Sequence, residues 1–138
     1  MQIWKRNSNL KVINRDMRNT MAPHLGIKIT KIFDNSLEGI MPVKNFVKQP
    51  YGILHGGASV ALAETLGSLG SNLCIEENQS TVGLEINANH IKSVKSGEVK
   101  GITYPIHLGR STHIWEIKLY NYDKLTCISR LTMAILKR

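Results

Sequence analysis

The fold of this chain is decided by residues 49–75, which read QPYGILHGGASVALAETLGSLGSNLCI. From Gly57 to about Ile75 nearly every residue is apolar or small, and no alternation with a period of two persists. Such a pattern predicts one helix of about 18 residues that is buried on most of its sides. The alanine and glycine residues within it predict that a neighbouring backbone packs closely on the helix surface.

Strand patterns lie on both sides of this helix. Before it, residues 27–33 are rich in β-branched side chains, and they are predicted to form a strand that a tight turn joins to a second strand at residues 37–43. A short helix is predicted at residues 10–19 and a turn at residues 21–26.

Four consecutive strands are predicted after the long helix. The first covers residues 82–90, whose alternation predicts one apolar face made of Val82, Leu84, Ile86, Ala88 and His90. The other three strands are predicted at residues 99–107, 114–120 and 125–135, and a hairpin turn at residues 121–124 joins the last two. Consecutive strands favour an antiparallel meander, and a single buried helix favours the α+β class. We therefore expect one domain, residues 1–138, in which a curved antiparallel sheet of about six strands wraps around one long central helix.

Length and charge restrict the possible classes of function. The 138 residues carry a net charge of +8, with the excess in residues 1–20 and 90–138, while residues 21–89 are slightly acidic. No run of five basic residues occurs and aromatic residues make up 6%, so a nucleic-acid partner is poorly supported. The basic N-terminus has no apolar segment after it, and no uncharged stretch reaches the roughly 18 residues of a membrane span. We therefore expect a cytoplasmic protein with no membrane partner.

Cysteine and histidine usage argues against a disulfide framework and a metal site. Cys74 and Cys127 are too few for such a framework and are expected to be small core residues. The five histidines show no metal-ligand spacing, so no metal is predicted.

Glu64 is the one charged side chain between Ala58 and Ile75. An unpaired carboxylate on a helix that is buried on most sides costs several kcal/mol. Either Glu64 has a function that compensates for this cost, or it lies on a solvent-facing polar stripe with Ser68 and Ser71. The residues of the helix by themselves leave both interpretations open.

The start of the long helix favours the functional interpretation. Gly56 and Gly57 let a ligand approach the backbone closely, and the N–H groups of a first helical turn have no partner within the helix. These groups lie at the positive end of the helix dipole and form a natural site for an oxyanion. His55 and Gln49 add side-chain donors nearby. An HGG motif followed by a lone glutamate, Glu64, is a far more specific signal than the motif alone.

This region resembles the signature of the hotdog-fold acyl-CoA thioesterases of the PaaI-like group. The resemblance begins at residues 3–6, is strongest over residues 48–68, and extends through residues 82–90, 107–109 and 129–132. It implies a hotdog fold and hydrolysis of an acyl-CoA or aroyl-CoA thioester. Coenzyme A would then be part of the substrate, and no separate cofactor is expected.

The resemblance also implies roles for single residues. Glu64 matches the catalytic carboxylate, acting as nucleophile or as general base for water, and the Gly56 N–H matches the donor that polarises the thioester carbonyl. Gln49, His55 and Ser68 match supporting polar groups of the catalytic site. The residues that match segments holding coenzyme A are Gly83, His90, Ile91, Lys92, Ser93, His107, Leu108, Gly109, Arg110, Ser111 and Thr112.

The resemblance further implies a homo-oligomer, a dimer or a tetramer, with its sites at a subunit interface. Two alternatives stay open: a proofreading thioesterase that acts on an aroyl or acyl carrier protein, and a non-catalytic module that binds acyl groups. Glu64 argues against the module, because pure binding gives no reason to keep a lone carboxylate in this helix. Part of the positive charge, including Lys92, Lys95 and Arg110, then suits the phosphates of coenzyme A better than a nucleic acid.

Overall fold

The computed structural model describes all 138 residues. Its helices are α1 (Leu10–Asp16), α2 (Met21–His24) and α3 (Gly56–Leu73), and a short 3-10 helix covers Asn45–Val47. Its strands are β1 (Lys28–Ile32), β2 (Leu37–Pro42), β3 (Gln79–His90), β4 (Glu98–Leu108), β5 (Thr112–Asn121) and β6 (Lys124–Lys137). The predicted α+β architecture is confirmed, since one six-stranded antiparallel sheet curves around the long helix α3.

The order of the strands differs from the predicted meander. The sheet runs β1-β2-β4-β5-β6-β3, and every neighbouring pair is antiparallel. Of the four strands after α3, β4, β5 and β6 follow one another as hairpins, while β3 lies at the far edge and pairs with β6. The prediction of four consecutive neighbours is wrong because the connection 91–97 is longer than a tight hairpin and carries the chain back across the sheet. Alternation identifies a strand but does not choose its partner.

The α3 helix packs against β2, β3, β4, β5 and β6, and its small residues bring the backbones close. A Cβ added at Gly67 would lie 2.6 Å from Leu131 Cδ2, and one added at Gly70 would lie 2.7 Å from the Trp115 ring. Leu66 beside them is fully buried. Side chains of the sheet therefore lie directly on the small residues of this helix.

The β3 strand exchanges its two faces at a β-bulge. Its register with β6 shifts at Leu84, which has no direct partner there. Gly83 faces α3 before the bulge, and His90 faces α3 after it. The single apolar face predicted for residues 82–90 is therefore wrong at Val82 and Leu84, which are 46% and 61% exposed. One extra residue in a strand reverses the alternation beyond it, and the alternation alone does not reveal where this happens.

The N-terminal segment closes the far end of α3. The N–H groups of Lys5 and Arg6 donate to the Leu73 carbonyl oxygen at 2.8 and 3.0 Å. The Trp4 ring stacks on the Trp115 ring, with 6.3 Å between the ring centroids. These contacts satisfy a carbonyl at the helix end and bring residues of the N-terminus beside α3.

The two short helices agree in part with the prediction. The helix predicted at residues 10–19 is present as α1 but ends at Asp16. Residues 21–26, predicted as a turn, instead contain the single helical turn α2 before Gly26 adopts a positive φ of 84°. Pro23 does not prevent this turn, because the first helical residues need no N–H of their own.

Candidate active site

The start of α3 forms a donor site for an oxygen atom. His55 is the N-cap of α3, and its Nδ1 accepts a hydrogen bond of 2.8 Å from the Gly57 N–H. This bond leaves the proton of a neutral imidazole on Nε2, which can still donate. The Gly56 N–H, one residue earlier, donates to no group of the chain. It is therefore free to donate to a carbonyl oxygen.

A cavity of about 320 Å³ opens beside this helix start, and we call it the helix-start pocket. Its lining brings together six of the residues singled out in the sequence, namely Gln49, Gly56, His90, Ile91, Lys92 and Ser93. The His90 ring packs on Gly56, where an added Cβ would lie 2.9 Å from Nε2. The Gln49 side-chain oxygen accepts a hydrogen bond from the Tyr51 N–H, so the amide nitrogen of Gln49 is left to donate.

Glu64 lies in a different cavity of about 460 Å³, the Glu64 groove, whose lining includes Met17, Met21, Glu64, Ser68, Leu69 and Asn72. Glu64 is half-buried and takes part in none of the chain's four ion pairs. Its Oε1 lies against Gly83, and an added Cβ at Gly83 would come within 2.7 Å of that oxygen. Gly83 is therefore a neighbour of the carboxylate and lies apart from the other residues that the resemblance assigns to coenzyme A.

The two sequence interpretations of Glu64 are separated by the position of Ser71. Ser68 lines the Glu64 groove with the carboxylate, but Ser71 is fully buried on another side of α3. The Ser71 hydroxyl oxygen accepts a hydrogen bond of 2.7 Å from Trp115 Nε1 and lies 3.3 Å from His113 Nδ1. A solvent-facing stripe through Glu64, Ser68 and Ser71 is therefore wrong. The carboxylate faces a cavity large enough for part of a ligand.

Gly56 and Glu64 do not meet within one chain. Eight helical residues separate them, which is about 12 Å along the axis of α3. They line different cavities, and they contact different parts of β3, Gly56 at the last residue, His90, and Glu64 at Gly83 near the middle of the strand. When a carbonyl oxygen accepts a hydrogen bond from the Gly56 N–H, the carbonyl carbon lies within about 4 Å of the Gly56 nitrogen. The attacking oxygen of a nucleophile must then come within about 3 Å of that carbon. One chain therefore presents the two groups of the predicted catalytic pair at separate places.

The third set of predicted residues lies at the other end of α3. Residues 108–111 line a cavity of about 540 Å³, the basic pocket, together with Lys5 and Lys137 from the two ends of the chain. His107 and Thr112 flank this segment without lining the pocket. No signal in the sequence points to Lys5 or Lys137, because each lies far along the chain from residues 108–111 and only the fold brings them together.

The buried titratable groups near the basic pocket are held in their neutral forms. Burial lowers the pKa of His113, and the charges of His107 and Lys5 lower it further. Burial raises the pKa of the Cys74 thiol to about 11. Burial also raises the pKa of the Cys127 thiol, which lies away from this pocket, paired with His90 in the sheet. Both cysteines are buried, as predicted, and neither is an activated nucleophile.

No group of three or more His, Cys, Asp or Glu side chains is arranged to hold a metal ion. No helix of the chain is both long enough and apolar enough to cross a bilayer. In these cavities the Glu64 carboxylate is able to attack a carbonyl or activate water, and the N–H donors around Gly56 are able to stabilise its oxygen.

The chain is similar along nearly its full length to known thioesterases. The family described as the thioesterase superfamily matches residues 51–128. A 1,4-dihydroxy-2-naphthoyl-CoA hydrolase of Escherichia coli (strain K12) is 47% identical over 97% of this chain and 99% of that protein. A proofreading thioesterase EntH of Cronobacter sakazakii is also 47% identical, over 97% of this chain and 98% of that protein. The crystal structure of a mutant of thioesterase PA1618 from Pseudomonas aeruginosa superimposes with a TM-score of 0.97, at 43% identity, covering 99% of this chain and 100% of that one.

These similarities decide the class of the protein. The family match covers more than half of the chain, and it includes the start of α3, Glu64 and most of the sheet. The hotdog architecture expected from the helix pattern is confirmed, and the alternative of a non-catalytic acyl-binding module is wrong. This chain belongs to the thioesterase superfamily and is a thioester hydrolase.

Proposed function

We propose that the chain hydrolyses an aroyl-CoA and that 1,4-dihydroxy-2-naphthoyl-CoA is its substrate. The observation that carries the proposal is the Glu64 carboxylate, which is half-buried, has no ion pair and lines a groove. Such a carboxylate is able to attack a carbonyl carbon or to take a proton from water. The choice of acyl group is supported by the name of the E. coli relative. Hydrolysis needs no cofactor beyond the coenzyme A that the substrate carries.

Two chemical routes use the same groups. In the first, a Glu64 oxygen bonds to the thioester carbon, the C–S bond breaks to release the thiolate, and water opens the resulting mixed anhydride. In the second, Glu64 takes a proton from a water molecule whose oxygen bonds to the thioester carbon, and the C–S bond of the resulting tetrahedral intermediate then breaks to release the thiolate, which takes up a proton. Both routes yield a free carboxylic acid and the coenzyme A thiol, and in both the Gly56 N–H stabilises the negative oxygen. Single turnover in ¹⁸O water tests the first route, because ¹⁸O enters the Glu64 side chain only when water opens a mixed anhydride at the Glu64 carbonyl carbon, and the second route never labels Glu64.

The distance between Gly56 and Glu64 supports a site that two chains share. The β3 strand is a sheet edge whose outer backbone groups are unpaired, and Val82 and Leu84 are exposed along it. Pairing of this edge with the same edge of a second copy would place α3 helices side by side. We therefore propose a dimer, or a tetramer built from dimers, in which Gly56 of one chain and Glu64 of the other act on one carbonyl.

Mixed dimers test this arrangement. Chains with Glu64→Gln and chains with Gly56→Pro, each inactive alone, are co-expressed with different tags and purified as the mixed species. If the site is shared, each mixed dimer keeps one intact site, made of the normal Gly56 of one chain and the normal Glu64 of the other. Substantial recovery of turnover is the expected result. Mixed dimers as inactive as the parents would contradict the shared site, and light scattering that shows only monomer would contradict the dimer.

The two other cavities are proposed to hold the coenzyme A portion. Lys92 lines the helix-start pocket, and Arg110 lines the basic pocket beside Lys5 and Lys137. These cations suit the phosphates of the nucleotide. Hydrolysis of 1,4-dihydroxy-2-naphthoyl-CoA and of the matching pantetheine thioester should therefore differ in KM more than in kcat. Equal KM values for the two thioesters would count against nucleotide binding.

A thioester on a carrier protein is the second candidate substrate, and the name of the Cronobacter relative supports it. Such a substrate shares the pantetheine arm with coenzyme A but lacks the adenosine phosphates. Measuring kcat/KM for one aroyl group on coenzyme A and on an aryl carrier protein decides between the two. A clear preference for the carrier protein would overturn the assignment to coenzyme A, while leaving the role of Glu64 intact.

A further inference from the structure

The Glu64 groove has a second polar group at its far end, Asn72. Asn72 follows Glu64 by eight residues on α3, about 12 Å along the helix axis, and Ser68 lies midway between them. Met17 and Met21, at the two ends of the link between α1 and α2, line the groove with flexible apolar side chains. The groove therefore runs from the reactive carboxylate past adaptable apolar groups to an amide.

The Arg6 guanidinium sets the orientation of that amide. Arg6 Nη1 donates to Asn72 Oδ1 at 3.0 Å, while Nη2 donates to the backbone carbonyls of Glu76 and Gln79 at 2.8 and 2.9 Å. A guanidinium has donors only, so the Asn72 atom that faces it must be the oxygen. The Asn72 amide nitrogen lies on the other side of the side chain and donates to no group of the protein.

Asn72 carries the only side-chain N–H donor among the residues that line the groove. The Thr65 hydroxyl already donates to the Ala61 carbonyl at 2.7 Å, and Glu64 as a carboxylate only accepts. An oxygen of a ligand bound at this end would therefore meet a free donor. A ligand without such an oxygen would cover the amide and leave its N–H groups unpaired, which weakens binding.

We propose that Asn72 is a specificity-determining residue that donates a hydrogen bond to an oxygen at the far end of the acyl group. The inference rests on the proposed function, because it places the thioester carbonyl beside Glu64. Contacts of about 3 Å at both ends of the groove leave roughly 6 Å between the carbonyl carbon and that oxygen. In a 1,4-dihydroxy-2-naphthoyl group the 4-hydroxyl is the more remote of the two hydroxyls and comes nearest to this span. The groove therefore selects aroyl groups with a hydroxyl or carbonyl oxygen remote from the thioester over aroyl groups without one. Arg6 is a positioning residue, since it acts through the Asn72 amide.

The test compares two thioesters that differ by one oxygen, 6-hydroxy-2-naphthoyl-CoA and 2-naphthoyl-CoA. The ratio of their kcat/KM values is measured for the wild type and for Asn72→Leu, which keeps the approximate size of the side chain and removes the amide. We expect the wild type to prefer the hydroxylated thioester and Asn72→Leu to lower the ratio about threefold to tenfold, the effect of one hydrogen bond. Asn78→Leu, the same exchange at an exposed residue outside the groove, should leave the ratio unchanged.

Arg6→Met and Arg6→Lys test the positioning role. Arg6→Met should lower the same ratio through loss of the Asn72 orientation, and Arg6→Lys, which keeps a cationic donor group but not the planar guanidinium, should restore part of it. Because the test uses a ratio, a general loss of folded protein does not imitate the result. A ratio that is unchanged in Asn72→Leu while the wild type hydrolyses both thioesters would overturn the role of Asn72. A wild type that hydrolyses neither these nor other aroyl-CoA thioesters would instead overturn the proposed function.

Discussion

Replacing Gly56 by proline removes one catalytic donor and leaves the start of α3 otherwise suitable for its fold. Gly56 is the first residue of α3, where proline is well tolerated because its missing N–H has no helical acceptor. The preceding His55 has φ −67° and ψ 132°, which is the conformation that a residue before proline prefers. The Gly56 N–H makes no hydrogen bond within the chain, so its removal costs the folded state none.

The expected loss of activity follows from the worth of a single oxyanion donor. Removing one such donor raises the barrier by about 3–4 kcal/mol, which lowers kcat about 10²–10³-fold. The matched control is Gly56→Ala, because it adds the same Cβ against the His90 ring, where 2.9 Å separates it from Nε2, and keeps the N–H. Steady-state hydrolysis of an aroyl-CoA is measured for both variants, with thermal unfolding to confirm that their Tm values agree within a few degrees.

Two outcomes would refute this reasoning. Gly56→Pro with a kcat within about threefold of Gly56→Ala would show that the N–H does not stabilise the transition state. A loss in Gly56→Ala as large as that in Gly56→Pro would show that the packing of His90, not the donor, is what matters at this position.

Three further changes have separable readouts. Glu64→Gln keeps the size of the side chain and should lower kcat by about 10²–10⁴-fold with little change in Tm, and near-normal turnover would rule out Glu64 as nucleophile or base. Gly83→Ala should lower kcat and leave stability unchanged, because its Cβ displaces only the flexible end of Glu64. Gly70→Ala should instead lower the free energy of unfolding by about 1–3 kcal/mol, because its Cβ meets the buried Trp115 ring. Equal effects of the two variants on Tm would contradict this contrast. Because the pKa of His113 is lowered in the folded protein, the unfolded state binds a proton more readily. The Tm of the wild type should therefore fall as the pH drops below about 6.5, and the Tm of His113→Asn should fall less. Parallel curves of Tm against pH for the two proteins would count against this effect.

Several features of the fold and of the site could be predicted because their signals are local. The helix from Gly57 to about Ile75 was predicted one residue late at its start and two residues long at its end, since a run of small and apolar residues is recognisable without its neighbours. Trp115, Ile117 and Leu119 alternate along β5, and all three are fully buried. Glu64 was recognisable by contrast, as one charge in an otherwise apolar helix.

Other features had no local signal. The residue types of β3 do not indicate the bulge at Leu84, which is visible only in the pairing of this strand with β6. Ser71 and Ser68 are both plausible members of a polar stripe, and it is the Trp115 ring, far along the chain, that buries Ser71. Asn72 has no motif around it, and its orientation depends on Arg6, which lies 66 residues earlier.

The sequence by itself determined the central helix, the six strands, and the chemical groups that a thioester hydrolase needs, because the period of apolar residues and the identities of Gly56 and Glu64 are properties of short segments. Only the tertiary structure decided where those groups stand. In the folded chain β3 lies at the far edge of the sheet, the Glu64 carboxylate lies against Gly83, and Gly56 lines another pocket. These positions depend on contacts between segments that are distant in the chain, and such contacts are settled only when the whole core packs at once.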